Sequence, residues 1–125
     1  MKRYRIKKDE LAEIVQNEIP ESKQEIEKLT QKDNVAGIVQ ILANLLKDLV
    51  RSKSGIRVKW VLMFTGWLYD RGENYIKDII ENIFVRALGS VNKMCTAREW
   101  GYIKQSTPVR IYRIYLSMNK MISYQ

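Results

Sequence analysis

Histidine is absent from the 125 residues. With it go the ordinary zinc site, the His-based catalytic triad and imidazole acid–base chemistry. Cysteine occurs once, at Cys95, so no internal disulfide can form. The six glycines, Gly37, Gly55, Gly66, Gly72, Gly89 and Gly101, stand singly. A P-loop or a dinucleotide fingerprint needs several in one turn to bring backbone against phosphate. Long apolar runs are missing too: Val61 to Phe64 continues past Thr65-Gly66 only to Tyr69, short of the ~20 residues of a membrane span. The opening MKRYRIKK has the charge of a signal-peptide front, but DELAEIVQNEIP follows where an apolar stretch would be required. These absences give the expectation of a cytoplasmic protein without a membrane span, cofactor or metal, and not an enzyme.

What is present is helical periodicity. A chain of this length fits one domain burying roughly two-thirds of its unfolded surface. Leu11, Ile14 and Val15 share one side of a first helix that Pro20 ends. Ser22 and Glu25 match a capping box opening a thin second helix with Ile26 and Leu29. Asn34 or Asp33 caps the clearest amphipathic helix, in which Val35, Ile38, Val39, Leu42, Leu45, Leu46 and Leu49 recur without a gap. From Ile56 to Asp70 the pattern is apolar nearly all round, the mark of a helix buried between neighbours. Gly66 reads there as a point of close approach for another helix. Gly72 in the left-handed conformation and Asn74 as a cap then fold the chain back into a helix carrying Ile76, Ile79, Ile80, Ile83, Phe84 and Ala87, stopped by Gly89.

This pair, Ile56 to Leu88, reads as the organising core, with Trp60, Phe64, Trp67, Ile80 and Phe84 as its main packing residues. Ser90 caps a sixth helix to about Gln105, and Thr107-Pro108 opens a last one through Ile111, Ile114, Tyr115, Met118, Met121 and Ile122. VRIYRIYL also suits a strand, but no second strand is available to pair with it. The expected fold is all-α: a basic N-terminal arm over 1–8, then a single domain over 9–125 of six to seven helices, as a bundle or a short solenoid-like stack.

Few side chains offer chemistry. Asp78 and Glu81 lie three apart on one helix, but a working pair needs burial or further ligands. Asp70 and Glu73 flank a turn and read equally well as its punctuation. Lys93 and Arg98 would favour a Cys95 thiolate, against which its place beside Met94 and Tyr102 argues for a small buried hydrophobe. The net charge is +8 and unevenly spread. Residues 1–8 hold five basic groups and no acid, residues 9–50 nine acids against four lysines, and after Leu88 the sole acid is Glu99. Such polarity points to an anionic partner or charge-steered association. Its candidate surface is Arg3, Arg5, Lys7, Arg98, Lys104, Arg110, Tyr112, Arg113 and Lys120. Aromatics beside cations are also what single-stranded nucleic acid or RNA requires.

At Ile19-Pro20-Glu21, Trp60–Tyr69 and Gly72–Leu88, over about half its length, the chain resembles a class of small bacterial all-helical proteins, some associated with toxin immunity. In these a short helix ends at a proline and a helix of the form IxxIENIFVxxL packs behind a Trp-bearing one. The resemblance implies no catalytic residues and a partner bound through an exposed charged or aromatic face. Many of those proteins are acidic, a habit from which the +8 charge departs. The expected function is a non-catalytic interaction protein that binds, and neutralises or regulates, a protein partner. The alternative is nucleic-acid binding through the arm and the final helices.

Overall fold

Most of the elements pack against α3, Val35–Arg51. Its Val35, Ile38, Val39, Leu42 and Leu46 are buried to 1% exposure or less. The Asn34 side chain starts it by accepting from the Gly37 N–H at 2.9 Å, and Arg51 in its last turn pairs with Asp48 at 3.1 Å. The computed structural model describes residues 5–123, with side chains as far as Asn119. Around α3 run α1 (Leu11–Glu18), a 3-10 turn (Pro20–Ser22), α2 (Lys23–Glu27) and α4 (Gly55–Arg71). They are followed by α5 (Asn74–Ile79), a π-helical segment (Ile80–Val85) and α6 (Arg86–Met94), then α7 (Ala97–Ser106) and α8 (Val109–Ser123). Since α5, the π segment and α6 are contiguous, the described residues form seven helices and no strand, an all-α bundle in one domain. VRIYRIYL lies in α8 and is helical.

The organising element differs from the expected one. α4 meets the following helix mainly near their connecting turn, while α3 packs against both α4 and the π segment. α3 has a single apolar face, so it can serve as the hub of a bundle. α4 has two, and periodicity does not say which of them is covered.

Four local expectations change for physical reasons. The Ser22 hydroxyl is buried and donates to the Ile19 carbonyl at 2.6 Å, so it caps nothing. Gly72 is extended (φ −74°, ψ 153°), because the chain start pairs with it. The Ile6 N–H donates to Arg71 O at 2.8 Å and the Glu73 N–H to Ile6 O at 3.1 Å, which leaves Ile6 1% exposed. Glycine is needed at 72 for space, since a Cβ would stand 2.9 Å from both Ile76 Cγ2 and Leu68 O. The N-cap of α5 is Glu73, with Asn74 as its first residue. Gly89 does not stop its helix: a lone glycine costs only about 1 kcal/mol, and the buried Leu88 and Val91 on either side hold the turn.

The helix break falls instead at Cys95, whose backbone is extended, and Thr96 begins α7 with a complete capping box. Thr96 Oγ1 accepts from the Glu99 N–H at 3.2 Å and Glu99 Oε1 from the Thr96 N–H at 2.8 Å. The T-x-x-E spacing was available as a signal. Replacing the cap, Thr96→Ala, is expected to cost about 1 kcal/mol, read as a lower urea midpoint at unchanged slope. The close approach at Gly66 is present, but to the Pro108 ring between α7 and α8 and not to a helix: a Cβ there would fall 2.4 Å from Pro108 Cγ.

Candidate docking surface on α4

α4 turns Val58, Val61, Leu62, Phe64, Thr65, Gly66 and Leu68 inward. What remains on its other side is Ile56, Trp60, Met63 and Trp67, spaced four, three and four residues apart. They are 80%, 40%, 49% and 40% exposed, respectively. Trp60 and Trp67 were expected in the core with Phe64, Ile80 and Phe84; the latter three are buried, while the two indoles stand at the surface.

Two depressions follow this strip. One, of about 400 Å³, is lined by Glu18, Trp60, Met63, Phe64 and Trp67. The other, of about 590 Å³, lies among Ile56, Arg57, Lys59, Trp60, Met63 and Tyr102. Trp60 and Met63 belong to both, so the depressions form one track along residues 56–67, a rise of ~16 Å.

The strip is held in place. The Trp60 indole N–H donates to the Glu18 carbonyl at 2.9 Å. Trp67 stacks on Phe64 with centroids 5.9 Å apart, and the Arg71 guanidinium sits 5.4 Å from the Trp67 ring. Arg57 forms two hydrogen bonds to Glu21, at 2.7 and 2.6 Å, tying α4 to the 3-10 turn. The Arg57 hydrogen bond holds the Glu21 carboxyl below its ordinary value of 4.5. A lowered folded-state pKa means that the pair's stabilisation is complete above 4.5 and fades as pH falls through the depressed value. Glu21→Gln is therefore expected to cost less than about 1 kcal/mol at neutral pH, as for other exposed pairs. The difference from the parent should shrink toward zero in acid unfolding curves.

The basic candidates lie elsewhere and apart. Arg3 and the Lys120 side chain fall outside the described residues. Arg5 Nη1 donates to the Asp70 carbonyl at 3.2 Å, and Arg110 pairs with the Asp70 carboxylate, so these two meet at the end of α4. Arg98 lines a cavity of about 240 Å³ at the start of α4, beside Gly55 and the Lys53–Glu99 ion pair. The two groups are separated by fifteen residues of helix, ~22 Å. Lys104 covers the Tyr112 ring at 5.7 Å, and Tyr112 packs on Tyr115 with centroids 5.7 Å apart. Lys7 and Arg113 are exposed.

Asp70 and Glu81 are engaged in pairs, and the thiol is not activated. Glu81 Oε2 accepts from the Tyr69 hydroxyl at 2.6 Å, and burial first, then this carboxylate, pushes the Tyr69 pKa up to about 12. Burial and the nearby Glu99 charge raise the half-buried Cys95 thiol, opposite to the activation that Lys93 and Arg98 would give. Among the described residues, no three Cys, Asp or Glu side chains gather as metal ligands, and no helix is long and apolar enough to cross a membrane.

The architecture is thus a single all-α domain presenting one apolar helix face. The family model for a domain of unknown function, DUF7674, matches residues 12–123, and the chain belongs to that family. No curated protein and no solved structure matches the chain.

Proposed function

We propose that the protein is a non-catalytic binding module that docks a protein partner on the outer face of α4. The observation that carries this reading is the row of Ile56, Trp60, Met63 and Trp67, four large apolar side chains left 40% or more exposed on one helix face. Contiguous apolar surface of this kind marks interaction sites, and tryptophan and methionine are enriched where partners dock. The resemblance to immunity-type proteins supports neutralisation or regulation of the partner as the consequence of binding. Nucleic acid is the weaker partner on this geometry, because Arg98 stands far from the Arg5–Arg110 group and Arg110 is already paired with Asp70.

The test uses Ile56→Gln/Met63→Gln, which replaces two well-exposed side chains with good helix formers. The variant is expected to keep the parent's circular dichroism and melting curve but to lose the protein partner retained by the parent from native cells. Nuclease treatment should leave the parent's retention unchanged. Retention of the same partner by the variant, or its release by nuclease, would overturn the proposal.

A further inference from the structure

We infer that the occupant of the α4 strip is an amphipathic helix of another protein, its apolar ridge flanked by acidic side chains. The inference rests on the reading of the strip as a docking surface and adds the chemistry of the partner. Shape gives the first half of the argument. Spacing of four, three and four residues is the periodicity of a helix–helix seam, in which apolar side chains of each helix fill the spaces between those of the other. The ~16 Å track corresponds to about three helical turns. The backbone N–H and C=O groups of α4 are used within the helix, so no open edge exists onto which an extended strand could add. A partner must therefore approach through side chains, as a helix in a groove does.

Charge gives the second half. Three cations border the strip. Arg57 is neutralised by Glu21, whereas Lys59 is exposed and Arg71 lies over the Trp67 ring. Among the described residues, Glu18 is the single acid lining the track. The surplus beside the apolar row is positive, and the whole chain carries +8. A second copy would meet the same sign in both respects, while an acidic helix would be drawn in and held. Desolvating Lys59 and Arg71 without opposite charges would weaken the complex, so acidic flanks also select against neutral and basic helices.

The experiment titrates the full chain with two soluble helical peptides of about three heptads. They share one leucine seam, with glutamate flanking it in one and lysine in the other. The glutamate peptide is expected to bind at least about ten-fold more tightly at low salt, with the advantage falling as salt rises. Ile56→Gln/Met63→Gln should abolish binding of the glutamate peptide, and Lys59→Glu/Arg71→Glu should reverse the preference. Equal binding of both peptides, lost in the glutamine variant, would overturn the acidic assignment while the docking reading stands. Binding of neither peptide up to about 1 mM would overturn the helical occupant, and partner retention by the glutamine variant would then decide the docking reading separately. A dimer of the parent at micromolar concentration that the glutamine variant dissociates would make a second copy the occupant and overturn the inference.

Discussion

Truncating Phe84 to alanine is expected to lower the free energy of unfolding by about 3–5 kcal/mol, the range for a fully buried aromatic ring. Phe84 is 0% exposed and lies in the π segment that packs on α3 and α8. Neighbouring Ile80 and Val85 are also fully buried. The wider π turn, with its i to i+5 bonding, lets residues four and five apart face the same way. This brings Ile80, Phe84 and Val85 together against the hub. Removing the ring leaves a cavity where the π segment, α3 and α8 meet. A domain of this kind has about 5–15 kcal/mol in all, so Phe84→Ala brings it near the folding threshold. A urea denaturation series would show the loss as a lower midpoint at unchanged slope. Ile56→Ala, at an 80% exposed position, should stay within about 0.5 kcal/mol of the parent.

Gly66→Ala is the second large effect, and its sign depends on a clash. Helix propensity alone would favour alanine by about 1 kcal/mol. The added Cβ would, however, fall 2.4 Å from Pro108 Cγ and 3.0 Å from Pro108 Cβ. The proline ring sits just before α8 and is not a flexible side-chain end, so the α7–α8 junction must shift away from α4. Overpacking of this kind costs about 1–3 kcal/mol, which outweighs the propensity gain. Combining Gly66→Ala with Pro108→Ala removes the obstructing ring atom. The double variant should recover more than half of the loss, a coupling measurable in a double-mutant cycle. If Gly66→Ala proved stabilising by itself, the packing of Pro108 on α4 would be wrong.

The helices with a single apolar face could be read from sequence because burial and periodicity agree in them. α3 followed from Val35 to Leu49 and the Asn34 cap, and α8 from the Ile111–Tyr115 spacing, although Thr107 ends α7, its hydroxyl donating to the Ile103 carbonyl at 2.6 Å, and Pro108 stands just before the helix. α4 could not be read in the same way. Its two apolar faces predict burial on both sides, but the bundle supplies neighbours for one, and Trp60 and Trp67 remain at the surface. The four-three-four spacing was visible, yet only the position of α3 tells which row is left over. The extension of α6 past Gly89 to Met94 was hidden because Gly89 looks like a stop, whereas tertiary packing overrides so small a local cost. The basic candidates were chosen by charge along the chain, and folding placed Arg5 and Arg110 at one end of α4 and Arg98 at the other. Linear charge patterning carries no information about that separation.

The claim that the outer face of α4 is where a partner docks is tested most directly by quenching, with a soluble paramagnetic agent, of the nuclear magnetic resonance signals of the three indoles Trp60, Trp67 and Trp100 in the parent chain. Each is measured with and without the glutamate-flanked helical peptide. Trp60 and Trp67 are expected to be quenched readily in the free protein and protected on binding, while Trp100, packed on Tyr115, stays unchanged. Protection of Trp100 with no change at Trp60 and Trp67 would contradict it.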